Sequence, residues 1–121
     1  MREIMVKFRF QDLEIWNLAI EIGDELLDIA DELEKKHLFR FAEQLRDAAL
    51  SISNNIAEGS GSIFKKEFGY FLNIARRSTF EDANNLIVLN RRKLITDSVL
   101  NNLLDKLDKE CRMITNFKKT L

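Results

Sequence analysis

The sequence predicts an all-α chain: an antiparallel, up-down-up-down four-helix bundle that associates with copies of itself. Three observations carry this expectation. Apolar residues recur at intervals of three and four over four long stretches. Proline is absent and glycine occurs only four times in 121 residues, so little interrupts a helix. The links between the stretches are short, about 3–5 residues, which favours antiparallel neighbours. Hydrophobic residues make up 45% and charged residues 32%, a globular composition that fits a single domain over residues 1–121.

The first helix covers about 11–35. Leu13, Trp16, Ile20, Gly23, Leu27 and Ala30 form one row on it; Ile15, Leu18, Ile22, Leu26, Ile29 and Leu33 form a second. Two rows make a wide apolar arc, suited to two neighbours within the bundle or to one neighbour and another subunit. Lys35, Lys36 and His37 lead to a second helix over about 38–58. Its row is Leu38, Ala42, Leu45, Ala49, Ile52 and Ile56, with small residues that allow close helix approach. Gly59-Ser60-Gly61 is expected to end it through a left-handed glycine cap, with Ser60 or Ser62 capping the next helix.

The third helix is expected over about 63–93. Its buried side reads Phe64, Phe68, Phe71, Leu72, Ala75, Thr79, Ala83, Leu86 and Ile87. Ser78 and Thr79 can bond back to the preceding turn and mark a bend. Thr96 or Asp97 caps a fourth helix over about 97–119. Its row is Leu100, Leu104, Leu107, Cys111, Ile114 and Leu121, supported by Leu103 and Phe117.

The net charge of −1 gives the whole chain no bias toward nucleic acid or acidic membranes, but the charges are segregated. Residues 10–34 hold nine acids and no base, whereas residues 62–95 hold seven bases against three acids. The two segments can pair within the bundle or between subunits, setting register more than stability. The single cysteine, Cys111, excludes an intrachain disulfide and fits a reducing, cytoplasmic setting. The N-terminal stretch lacks the apolar run of a leader, and no stretch reaches the roughly 18–20 apolar residues needed to span a bilayer.

No constellation for catalysis, metal or cofactor binding is complete. Glu34 and His37 match one half of a di-iron Glu-x-x-His pattern, but His37 is the only histidine, so the second half has no ligand. Cys111 sits on a core row without a base nearby in sequence. Gly59-Ser60-Gly61 before Lys65 and Lys66 lacks the spacing and the preceding strand of a phosphate loop. Two groups of surface chemistry remain. Asn54, Asn55 and Glu58 lie beside an apolar face and are candidates for polar contacts between helices or subunits. Arg76, Arg77, Arg91, Arg92 and Lys93 form two basic clusters about four turns apart, able to share one face and meet phosphates or a partner. With most aromatics on core rows, little suggests a base-stacking platform.

The stretch Phe10-Gln-Asp-Leu-Glu-Ile-Trp16 with Ala19 resembles the opening of the 23S rRNA intervening-sequence protein family. The likeness continues at Gln44-Leu45-Arg46, at Ala48-Ala49 and through Ser51-Ile-Ser-Asn-Asn-Ile-Ala-Glu-Gly59-Ser-Gly61. It extends over Glu67-Phe68, Phe71-Leu72-Asn-Ile-Ala75 and Ser78, and spans about 10–90. The resemblance implies a ring-like homopentamer of antiparallel bundles, of uncharacterised role and with no catalytic residues. Similar proteins act as accessory factors in diversity-generating retroelements, where a basic pentamer binds the reverse transcriptase and nucleic acid. Two departures stand out: Ser62 occupies a commonly basic position, and the link near His37 lacks a common proline. The expectation is therefore a non-enzymatic, bacterial, oligomeric interaction protein, with an RNA- or DNA-binding accessory role as the alternative.

Overall fold

A computed structural model describes residues 6–121. Met1–Met5, part of the N-terminal stretch read for a leader, lie outside the described residues. The described chain is all-helical and follows the four-helix plan. A 3-10 turn at Arg9–Asp12 precedes α1 (Glu14–Lys35), α2 (Phe39–Ala49), α3 (Ser51–Ser60), α4 (Lys65–Arg91) and α5 (Asp97–Lys118). No described helix is long and apolar enough to cross a membrane.

The expected second helix is divided at Leu50 into α2 and α3, which together occupy one corner of the bundle. Side chains back-bond to the carbonyls just past the break. Ser53 Oγ donates to the Leu50 carbonyl at 3.2 Å, and Asn55 Nδ2 donates to the Ser51 carbonyl at 2.8 Å. The Leu50 carbonyl still accepts from the Asn54 N–H at 2.9 Å, so these bonds accompany the first turn of α3. Gly23 of α1 packs at this point: a Cβ built there would lie 2.7 Å from the Ala49 carbonyl oxygen. Glycine thus lets α1 approach the backbone at the break.

The core fills from all four corners. On α1 the deeper row is Ile15, Ala19, Ile22, Leu26, Ala30 and Leu33, while Leu13, Trp16, Ile20 and Leu27 are half-buried. A fully buried Ile or Leu contributes about 1.5–3 kcal/mol. Trp16 packs beside Phe10, their rings 5.1 Å apart, so the N-terminal turn covers part of the wide arc. The α2–α3 row of Ala42, Leu45, Ala49, Ile52 and Ile56 is buried as expected.

The rows of α4 and α5 differ from the expected ones. The buried positions on α4 include Phe68, Leu72, Ala75, Thr79, Asp82, Leu86 and Leu89, whereas Phe64 and Ile87 are exposed. On α5 they are Leu103, Leu107, Glu110 and Ile114, with Leu100, Leu104 and Cys111 only half-buried. Both true rows keep the three-four spacing but run through a charged residue.

The helix ends also correct the sequence reading. No glycine has positive φ. Gly59 is instead a packing residue: a Cβ there would meet Phe71 Cβ at 2.7 Å and Phe68 Cδ1 at 3.0 Å. The left-handed residues are His37 (φ 63°) and Lys93 (φ 60°), which end α1 and α4. After each, an N–H bonds back five residues, Leu38 to Leu33 and Leu94 to Leu89, as in a Schellman cap. Thr96 Oγ1 accepts from the Val99 N–H at 3.2 Å and caps α5 as expected. Ser62 Oγ accepts from Phe64 N–H just before α4 rather than inside its first turn.

Candidate interaction surface

The basic residues singled out in the sequence lie on the outer side of α4 and its terminal turn. Arg77, Arg91, Arg92 and Lys93 are exposed. Arg76 is half-buried: its Nε donates to Thr115 Oγ1 of α5 at 3.0 Å, and its guanidinium lies 5.4 Å from the Phe80 ring centre. Among the described residues none of the five makes an ion pair. Tyr70 and Phe80 are 63% and 61% exposed on the same helix, and Ile87 is also exposed. The sequence reading placed most aromatics on core rows; Phe80 stands instead beside Arg76, and Tyr70 near Lys65 and Lys66. Between α4 and α5 lies a groove of about 210 Å³ lined by Phe80, Ala83, Leu104 and Cys111.

The acids of α1 find other partners. Arg46 of α2 bonds Asp31 at 2.8 Å and Glu34 at 3.1 Å, and these bonds raise its pKa. Lys106 of α5 meets Glu25 at 2.8 Å and Glu21 at 3.1 Å, and the bond to Glu25 leads in raising its pKa. Within the described chain, then, the acidic and basic segments do not pair with each other.

The Asn54–Glu58 group is arranged differently from a contact between helices. Asn54 and Glu58 are exposed, and Asn55 donates to the Ser51 carbonyl within its own helix. The bond that crosses to α4 here joins the Ser51 and Ser78 hydroxyls at 2.7 Å. Ser78 also donates to the Ile74 carbonyl at 3.0 Å, and Thr79 donates to the Arg76 carbonyl at 2.6 Å. Glu34 is held by Arg46 and His37 stacks on Phe39 at 5.6 Å, so the Glu-x-x-His match has local structural uses. Among the described residues no three His, Cys, Asp or Glu side chains are grouped to hold a metal ion.

Sequence reasoning missed two residues. Asp82 and Glu110 are 1% and 0% exposed, and no carboxylate oxygen of either has a hydrogen-bond partner. Burial raises the Asp82 pKa to about 8, with the nearby Glu81 charge adding to it. Burial alone raises Glu110 to about 8. The signal was their spacing: Asp82 falls between Thr79 and Leu86, and Glu110 between Leu107 and Ile114, at three- and four-residue steps.

The fold and its faces define a small four-helix protein whose open chemistry lies on helix surfaces. The chain belongs to the 23S rRNA-intervening sequence protein family, whose sequence profile matches residues 11–116. Comparison with curated proteins gives no match.

Proposed function

We infer that the chain is a non-enzymatic, cytoplasmic interaction protein that works as a homo-oligomer. Its bundle is antiparallel and up-down-up-down, and its copies form a ring, pentameric under the family resemblance. The carrying observation is the outer face of α4, where cations without ion pairs among the described residues flank exposed Phe80 and Ile87. Solvated alone, such a face is unfavourable; covered, it supplies both apolar area and charge selectivity. Residue pairs support the antiparallel order: Gly23 meets Ala49 while Asp31 meets Arg46, and Gln44 meets Asn85 while Ser51 meets Ser78. A non-enzymatic role agrees with the siting of the two most perturbed acids, which are sealed from any substrate. Exposed Asn54 and Glu58 are available for polar contacts between subunits.

Light scattering coupled to size exclusion tests the assembly. A multiple of the chain mass is expected at micromolar concentration, and a monomer at every concentration refutes the reading.

A second reading is favoured by Phe80 lying exposed beside Arg76, with Tyr70 exposed on the same helix: the same face binds RNA or DNA as an accessory protein. Binding would weaken steeply with salt and fall on charge reversal at Arg76, Arg77, Arg91, Arg92 and Lys93. Absence of binding at low salt removes it.

A further inference from the structure

We propose that the outer face of α4 in one copy docks on the outer face of α1 in the next, so that copies join head to tail. This pairing rests on the homo-oligomer reading and names its interface. Among the described residues, the backbones of α1 and α4 come close to the other helices but not to each other, so they stand on a diagonal and their outer faces look apart. The α1 face exposes Glu14, Glu21, Asp24, Asp28, Asp31 and Glu32, with Lys35 the one base at its end. Glu14, Asp24 and Asp28 make no ion pair within the described chain. The α4 face carries the five cations and one exposed acid in that span, Glu81, on the side of the helix shared by Arg77 and Arg92.

The two faces also match in length. Glu14 to Asp31 spans about 25 Å of helix, and Arg76 to Arg92 about 24 Å. Phe80, Ile87 and the groove beside Cys111 lie between the two basic clusters, where a docked helix excludes water from both groups. Symmetry selects the pairing. A two-fold contact through α4 alone sets arginine against arginine, and one through α1 alone sets acid against acid. Only the heterologous pairing brings opposite charges together, and such contacts close into rings when the rotation permits.

The test uses two full-length variants. One carries Arg77→Glu, Arg91→Glu and Arg92→Glu; the other carries Glu14→Lys, Asp24→Lys and Asp28→Lys. All six positions are exposed, so both variants should keep wild-type helicity and cooperative melting, which circular dichroism checks. Each alone should associate at least about 100-fold more weakly than wild type, because like charges then meet. Mixed in equal amounts they present complementary faces wherever the two variants alternate, at four of the five joints of a pentameric ring, so association should return, with the one like-charged joint leaving it weaker than wild type. A separate Phe80→Ala variant should weaken association about 10-fold or more. Variants that keep the wild-type mass overturn the proposed interface but leave the oligomer intact. A mixture that stays dissociated overturns the face-to-face pairing. A monomeric wild type defeats the underlying reading. Loss of RNA binding with assembly unchanged assigns the α4 face to nucleic acid and overturns the proposal.

Discussion

Asp82 and Glu110 should make this bundle less stable as the pH rises through neutrality. In the unfolded chain the two carboxyls ionise near pH 4. In the fold burial raises each to about 8. Between those limits the folded chain holds two protons that the unfolded chain has released. Stability is therefore greatest below about pH 4 as far as these groups are concerned, falls through the window, and levels off above about 8. No hydrogen-bond partner waits for either carboxylate, and the other buried side chains are uncharged, so nothing in the core favours ionisation. Each group costs about 1.4 kcal/mol per pH unit, so the pair removes about 4 kcal/mol between about pH 6 and pH 7.5. That is a large part of an ordinary folding free energy. Urea titrations at one fixed protein concentration measure it. The wild-type midpoint should fall by about 2 M over that range, given the slopes common for small proteins. The isosteric double variant Asp82→Asn/Glu110→Gln should show a nearly flat midpoint and exceed wild type at pH 7.5. A wild-type midpoint that is flat or rises with pH would refute the reasoning, because it requires the two groups to be ionised in the fold.

Four further predictions concern packing, a helix end and a hydroxyl bond. Gly23→Ala should destabilise by about 2 kcal/mol, although alanine is the better helix former, because its Cβ meets the Ala49 carbonyl oxygen at 2.7 Å; the urea midpoint reads it. Gly59→Ala should act in the same direction through Phe71 and Phe68. Lys93→Gly should stabilise by up to about 1 kcal/mol, since the left-handed backbone at φ 60° is free for glycine, and the melting temperature should rise by a few degrees. A double-mutant cycle on Ser51→Ala and Ser78→Ala should return a coupling of about 1 kcal/mol for the hydroxyl bond between α3 and α4; zero coupling would dismiss the bond as a source of stability.

How legible each feature was depends on whether one residue type has one use. Thr96 was readable as a cap because a hydroxyl before an apolar-periodic run rarely serves otherwise. The α2–α3 row was readable because every residue on it is apolar. Gly59 was misread because glycine serves two purposes, a left-handed backbone and a missing side chain. Only the neighbouring Phe68 and Phe71 decide between them, and they lie on another helix. The left-handed turns fell to His37 and Lys93, which carry no glycine signal at all. The break at Leu50 falls where there is neither proline nor glycine, so no residue type announced it.

The rows of α4 and α5 show the same ambiguity with a larger consequence. A row chosen by polarity passes through Ala83 and Cys111; the row that packs passes through Asp82 and Glu110. The apolar choice looks right because burying a carboxylate costs several kcal/mol, and that cost is what the protonated forms reduce. Choosing the apolar row also hides the outer face. Once Asp82 points inward, the neighbouring turns must carry Phe80 and Ile87 outward, beside Arg76, Arg77 and Arg91. The buried acids and the exposed basic, apolar stripe are thus two results of one helical register. If α4 turned so that Phe80 and Ile87 faced inward, Asp82 would reach water and the stripe would vanish. Measuring the pH dependence and the charge-reversal assembly on the same chain therefore probes one rotation of α4 from its two sides.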